Sequence, residues 1–258
     1  MPIFKMIQHL IRLTAIVLFT AAASAEEKPT LYLIGDSTVN NSTKGLQGWG
    51  TPIAALFDET KIHVDNQAIG GRSSRSYLRE GRWDKVAEML KPGDFVLIQF
   101  GHNDNGPMDS EKARASIKGN GDEAQEVTIK ETGVKETVHS YGWYLRKYAT
   151  DTKAKGATPI VLSLIPRNIW VENKVIRATS DYTAWATAAA NNSGAFFVDL
   201  NAIVATHYEA LGEEKVKTDF FTADHTHTTP EGAALNAASV VEGVQTLKDC
   251  PLASFLRK

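Results

Sequence analysis

The chain has 258 residues, 43% hydrophobic and 9% aromatic, with 28 Lys plus Arg against 30 Asp plus Glu and a formal net charge of −2. That balance excludes an intrinsically disordered or collagen-like chain and argues against a nucleic-acid partner. Cys250 is the single cysteine, so no internal disulfide can form, and no motif around it marks the thiol as a nucleophile.

The first 25 residues read as a secretory leader. Lys5 and Arg12 precede the apolar run Leu13 to Phe19, and Ala23-Ser24-Ala25 then precedes Glu26. A membrane span needs roughly 20 consecutive apolar residues, and this run is shorter. The expectation is cleavage near Ala25/Glu26, a secreted or periplasmic location, no membrane attachment afterwards, and one monomeric domain over residues 26–258.

Beyond the leader, short apolar runs alternate with helix-like stretches, which is the rhythm of βαβ units around a mostly parallel sheet. Leu31 to Ile34, Ile62 to Val64, Phe95 to Phe100, Pro159 to Leu164 and Ala195 to Val198 read as five buried strands. Trp49 to Phe57, Trp83 to Leu90, Thr137 to Lys155, Ser180 to Asn191 and Pro230 to Thr246 carry apolar residues at helical intervals. Pro230 suits the first turn of its helix, where an N–H is not needed. The predicted architecture is a single-domain three-layer α/β/α sandwich with a mostly parallel, five-stranded, flavodoxin-like sheet. Asp109 to Lys135, polar and glycine-containing, breaks the rhythm and reads as a surface excursion at the rim of whatever site the sheet builds.

Three segments directly follow predicted strands: Gly35-Asp36-Ser37-Thr38, Ala68 to Tyr77, and Gly101-His102-Asn103-Asp104. In a 2-1-3-4-5 strand order they border one crevice at the carboxyl ends of the strands. A fourth, Asp224-His225-Thr226-His227, lies just ahead of the last helix and adds an acid and an imidazole to a crevice holding a hydroxyl. A serine hydroxyl is a weak nucleophile until a base takes its proton, so a hydroxyl, an imidazole and a carboxylate converging there point to acyl transfer.

These four segments resemble, in order, the four blocks of the SGNH or GDSL-like hydrolases: Ser37 in Gly-Asp-Ser, Gly71 in Gly-Gly-Arg-Ser-Ser, Asn103 in Gly-His-Asn-Asp, and Asp224 with His227 in Asp-x-x-His. The variants Gly-Asp-Ser-Thr-Val, Gly-Arg-Ser-Ser-Arg-Ser-Tyr and Asp-His-Thr-His-Thr look like the rhamnogalacturonan acetylesterase branch. The resemblance implies a catalytic triad of Ser37, His227 and Asp224. It also implies an oxyanion hole made by the backbone N–H groups of Ser37 and Gly71 and the side-chain amide of Asn103, with no cofactor and no metal. An acetylated plant cell-wall polysaccharide is the implied substrate and partner.

Several other readings are weaker. Asp224, His225, His227 and His102 suggest a zinc site, but no His-Glu-x-x-His and no cysteine pair accompany them. Neither a Gly-x-Ser-x-Gly elbow nor a strand-borne dinucleotide loop is present. An esterase acting on xylan or another acyl ester, a lipase, and an inactive carbohydrate-binding homologue remain as alternatives. Among substrate-contacting residues, Trp49, Tyr77, Trp143 and Trp170 offer flat faces that either stack on sugars or pack in the core. Arg72, Arg75, Arg79 and Arg82 either meet a uronate carboxylate or form a solvated face, and Arg72 is favoured because it adjoins Gly71. Arg167-Asn168-x-Trp170 is a further rim candidate.

Overall fold

The computed structural model describes residues 27–178 and 181–258. The leader expected over residues 1–25 lies outside them. Five parallel strands form the central sheet: β1 (Thr30–Gly35), β2 (His63–Asn66), β3 (Phe95–Gln99), β6 (Thr158–Leu162) and β9 (Phe196–Val198), in the order β2-β1-β3-β6-β9. This is the expected 2-1-3-4-5 pattern, and the chain reverses direction across the sheet at β1. Register brings Leu33 beside Leu97 and Gly35 beside Gln99, so the turns after β1 and β3 leave the sheet at one level.

Side-chain alternation divides two cores. Leu31, Leu33, Phe95, Leu97, Ile160 and Leu162 face one way, against α5 (Leu200–Leu211), α6 (Glu213–Phe220) and α7 (Pro230–Gln245). Tyr32, Ile34, Val96, Ile98 and Val161 face the other way, against α1 (Ser74–Arg79), α2 (Arg82–Met89), α3 (Tyr141–Ala154) and α4 (Tyr182–Ser193). Burial on both faces explains why the strands read as unbroken apolar runs. Thr229 caps α7 by accepting from Gly232 N–H, with Pro230 in the first turn.

Three expectations need correction. Trp49 to Phe57 holds only a short 3₁₀ turn, Pro52–Leu56. The helix predicted from Thr137 starts at Tyr141, because residues 137–139 belong to a strand and Ser140 is the cap, its hydroxyl accepting from Trp143 N–H. The excursion after β3, in which no strand was expected, contains β4 (Ala124–Thr128) and β5 (Lys135–His139), paired as an antiparallel hairpin. Ala113, Val127, Ile129 and Val138 give that hairpin a small core of its own. A second, two-residue pair, β7 (Trp170–Val171) with β8 (Lys174–Val175), follows β6.

Candidate active site

The turn after β1 is built to present one hydroxyl. Asp36, Thr38 and Val39 are buried and Ser37 between them is not. Asp36 Oδ1 accepts from Thr38 N at 2.8 Å and Thr38 Oγ1 at 2.7 Å, a side-chain turn of the kind Asp favours. Gln99 Nε2 donates to Thr38 Oγ1 at 2.7 Å, and Trp49 Nε1 donates to Gln99 Oε1 at 2.7 Å. This buried relay anchors the Ser37 turn to β3. A Cβ at Gly35 would lie 2.4 Å from Val39 Cγ2 and 2.6 Å from Gln99 O, so only glycine lets the turn close against β3. Burial raises the Asp36 pKa, but the His102 ring and the Thr38 donors outweigh it and hold this carboxyl below its ordinary value. Asp36 Oδ2 and His102 Nδ1 face each other at 3.5 Å.

Ser37 Oγ lies 2.8 Å from His227 Nε2 across 190 positions of sequence. His227 Nδ1 lies 2.7 Å from Asp224 Oδ2. Asp224 Oδ1 also accepts from the backbone N–H groups of Thr226, at 2.7 Å, and His227, at 2.8 Å. Partial burial raises the Asp224 pKa, but bonds from the His227 ring and these two N–H groups overcome it and bring it down to about 2. The whole segment is clasped from outside. Gln47 and Thr228 bond through their backbones at 2.8 Å, Asn168 N donates to His225 O at 2.8 Å, and Arg167 Nη1 donates to Thr226 Oγ1. The Arg167-Asn168 pair therefore grips the Asp-x-x-His segment. His225 turns its ring toward Arg167 and its carbonyl toward Asn168, so it is His227, not His225, that faces Ser37.

The three expected oxyanion donors sit at the ends of β1, β2 and β3. Among the described residues, neither the Ser37 nor the Gly71 N–H donates to a protein acceptor. Gly71 adopts φ +75°, a left-handed conformation suited to glycine. Ser37 also adjoins this loop, since a Cβ at Gly70 would be 3.6 Å from Ser37 Cβ. Asn103 Nδ2 donates one hydrogen to Arg72 O at 3.0 Å, and its Oδ1 accepts from Arg114 Nη1 at 2.9 Å. Among the described residues, no cluster of three or more His, Cys, Asp or Glu side chains is set to hold a metal ion.

The substrate-contact candidates divide sharply. Trp49 and Tyr77 are fully buried, with Trp49 bonded to Gln99 and Tyr77 Oη to Gln67 O, so neither can meet a sugar. Trp143 is half-buried and stacks on His139 at 3.8 Å. Trp170 is half-buried with its Nε1 held by Asn168, and it lines a cavity of about 420 Å³ shared with Asp224 and His225. Arg75 is 1% exposed and bonded in bidentate fashion to Glu136 at 2.8 and 2.9 Å, which removes it from the carboxylate-reading set. Arg72 is part-exposed but already bonds Glu80 and Gly70 O. Arg72, Lys112 and Arg114 nevertheless line a cavity of about 300 Å³ beside Gly71. Arg114 and Lys112 gave no signal in the sequence, where they are two charges within a polar stretch.

With this geometry in view, the likenesses to known proteins are specific. A model of the GDSL-like lipase/acylhydrolase family matches residues 33–235. A rhamnogalacturonan acetylesterase of Emericella nidulans is 38% identical over 234 residues, covering 91% of this chain and 90% of that protein. The rhamnogalacturonan acetylesterase RhgT of Bacillus subtilis is 30% identical, covering 84% and 90%. Among solved structures, YxiM of Bacillus subtilis superposes with a TM-score of 0.68 at 23% identity, covering 84% of this chain and 56% of that one, so the present chain spans little more than half of it. An acetylxylan esterase of Geobacillus stearothermophilus gives a TM-score of 0.52 at 20% identity, covering 83% and 93%, a likeness of fold.

Proposed function

The chain belongs to the GDSL-like lipase/acylhydrolase family and is a carboxylic ester hydrolase, and from that premise we propose that it deacetylates rhamnogalacturonan through an acyl-enzyme on Ser37. The observation that carries the proposal is the unbroken relay from Ser37 Oγ through His227 to Asp224, with bonds of 2.8 and 2.7 Å.

In this mechanism His227 Nε2 takes the Ser37 proton as Oγ attacks the acetyl carbonyl. Asp224 holds the ring by Nδ1 and stabilises the imidazolium. The negative charge on the carbonyl oxygen falls to the N–H groups of Ser37 and Gly71 and the second amide hydrogen of Asn103. The tetrahedral intermediate then collapses, the sugar oxygen leaves with the proton from His227, and the acetyl group stays on Ser37. Water, deprotonated by His227, attacks this ester and releases acetate, and the proton returns to Ser37.

Rhamnogalacturonan is favoured by the names of the two relatives and by charge. The cavity beside Gly71 is lined by Arg72, Lys112 and Arg114 against Glu80 alone, a net positive charge that suits a polymer carrying carboxylates. Trp170, near Asp224 on the other side, suits stacking on a sugar ring. An exported location, as the leader implies, suits a cell-wall substrate.

Acetate release from acetylated rhamnogalacturonan and from acetylated xylan, for the wild type and Ser37→Ala, tests the reading. Faster release from the pectic polymer, abolished in Ser37→Ala, is expected. Release undiminished in Ser37→Ala ends the mechanism, and a preference for xylan ends the substrate assignment.

A further inference from the structure

We propose that Arg114 is a positioning residue for the oxyanion hole, delivered to the site by the excursion that follows β3. The inference rests on the assignment of Gly71 and Asn103 as oxyanion donors made above.

One nitrogen of Arg114 ties the two together. Nη1 donates to Gly71 O at 3.0 Å and to Asn103 Oδ1 at 2.9 Å. Fixing Oδ1 fixes the amide plane of Asn103. Because Nδ2 already spends one hydrogen on Arg72 O, at 3.0 Å, the direction of the other is then set. Without Arg114, only the bond to Arg72 O holds the Asn103 amide, which can then swing about that contact and turn its second hydrogen away from the crevice. Gly71 has the same need, since a glycine at φ +75° has no side chain to hold it. Its carbonyl is held by Arg114, and Arg72 N–H closes the turn on Ile69 O at 3.3 Å. At Asn103 the cation on Oδ1 also polarises the Nδ2–H end of the same amide, strengthening its bond to a developing oxyanion.

The chain around Arg114 is held on both sides. Ala113 is fully buried at φ +43°, a conformation that residues with a Cβ rarely adopt, and its N–H bonds Ser110 O at 2.8 Å. Strain of this kind persists only where the surroundings enforce it. Here the enforcing contacts are Arg75 Nη1, which donates to Met108 O at 2.9 Å and Ala115 O at 2.8 Å, and Ser116 N, which donates to Asp104 O at 3.0 Å. The bidentate Arg75–Glu136 pair fastens the hairpin beyond. The excursion is thus bolted to α1 and to the Asn103 loop, with Arg114 at the join.

Steady-state hydrolysis of p-nitrophenyl acetate by the wild type, Ser37→Ala, Arg114→Ala and Arg114→Lys tests this, with thermal melts to confirm folding. Complete loss of an oxyanion donor costs roughly 100- to 1,000-fold, so misaligned donors in Arg114→Ala should cost roughly 10- to 100-fold in kcat, with KM within about threefold. Arg114→Lys, whose ammonium can reach the same acceptors with poorer geometry, should recover part of the loss, as should added guanidinium at non-denaturing concentration in Arg114→Ala. If Arg114→Ala melts far below the wild type, the kcat of Arg114→Lys at native melting temperature decides, and a loss of several-fold supports the proposal. A kcat within about twofold of wild type in folded Arg114→Ala, or in Arg114→Lys where Arg114→Ala is unfolded, or a loss that neither lysine nor guanidinium relieves, overturns it while leaving the Ser37 mechanism standing. A wild type inactive on the ester, or Ser37→Ala as active as wild type, instead removes the site assignment, and the role of Arg114 with it.

Discussion

Asp104, next to Asn103, is a fully buried carboxyl whose hydrogen-bond partners are all neutral: Ser74 N–H, the Ser74 hydroxyl and the Ser116 hydroxyl. Burial, with help from the nearby Asp36 charge, raises its pKa from 3.8 to about 7, against the lowering effect of the serine donors. Because the folded value lies above the unfolded one, the carboxyl imposes no penalty below about pH 4, a growing one as pH rises, and its full penalty above about pH 8. A displacement from 3.8 to about 7 corresponds to roughly 4 kcal/mol. Asp104→Asn removes the titration while its carbonyl oxygen, in the place of Oδ1, still accepts from all three donors. The variant should match the wild type or fall slightly below it near pH 4 and exceed it at pH 8, by an amount on the order of 2–4 kcal/mol, or roughly 5–15 °C in Tm for a domain of this size. Thermal melts of both proteins from pH 4 to 8 measure the difference, in which the titration of the histidines cancels. Parallel Tm curves across that range would refute the reasoning.

If Asn103 is an oxyanion donor as proposed, Asn103→Ala should lower kcat on p-nitrophenyl acetate by roughly 100- to 1,000-fold with little change in KM, since the lost donor would act on the transition state. Gln99→Leu leaves Trp49 Nε1–H buried without an acceptor and removes the donor that the Thr38 hydroxyl accepts from, although that hydroxyl keeps its bond to Asp36. A stability loss of about 2–4 kcal/mol in urea unfolding is expected, accompanied by reduced turnover from a loosened Ser37 turn. Trp170→Ala should raise KM on the acetylated polymer several-fold and leave p-nitrophenyl acetate hydrolysis within about twofold, because the ring sits beside Asp224 and outside the Ser37–His227 relay.

Legibility in the sequence followed the range of the interactions involved. The three inner strands β1, β3 and β6 are buried on both faces, so their apolar runs located them, and the segment-end motifs point to one crevice. The hairpin was illegible because β4 and β5 each bury a single valine, Val127 and Val138, among exposed polar residues, leaving no two-residue alternation to read. What holds that hairpin is Arg75 with Glu136, 61 positions apart, and no local pattern announces such a pair. Arg114 escaped notice for the same reason: its partners, Gly71 and Asn103, are brought to it by the sheet. Trp49 and Tyr77 show the converse limit, since an aromatic residue that packs in a core and one that stacks on a ligand have the same sequence signature.

Asp224 and Asp104 carry one side-chain chemistry to opposite ends of its range, and the contrast explains where each stands. In the proposed mechanism an acid that orients His227 must stay ionised whenever the imidazole works as a base. Burial works against that, as at Asp104. Asp224, 41% exposed, is raised by the burial it has, but three hydrogen bonds from the His227 ring and two backbone N–H groups outweigh it and bring it to about 2. The partial exposure of the Asp-x-x-His segment is therefore part of the chemistry. The rigidity the segment gives up by lying at the surface is restored from outside by Gln47, Arg167 and Asn168, so loosening those contacts should disturb His227 before it disturbs the fold.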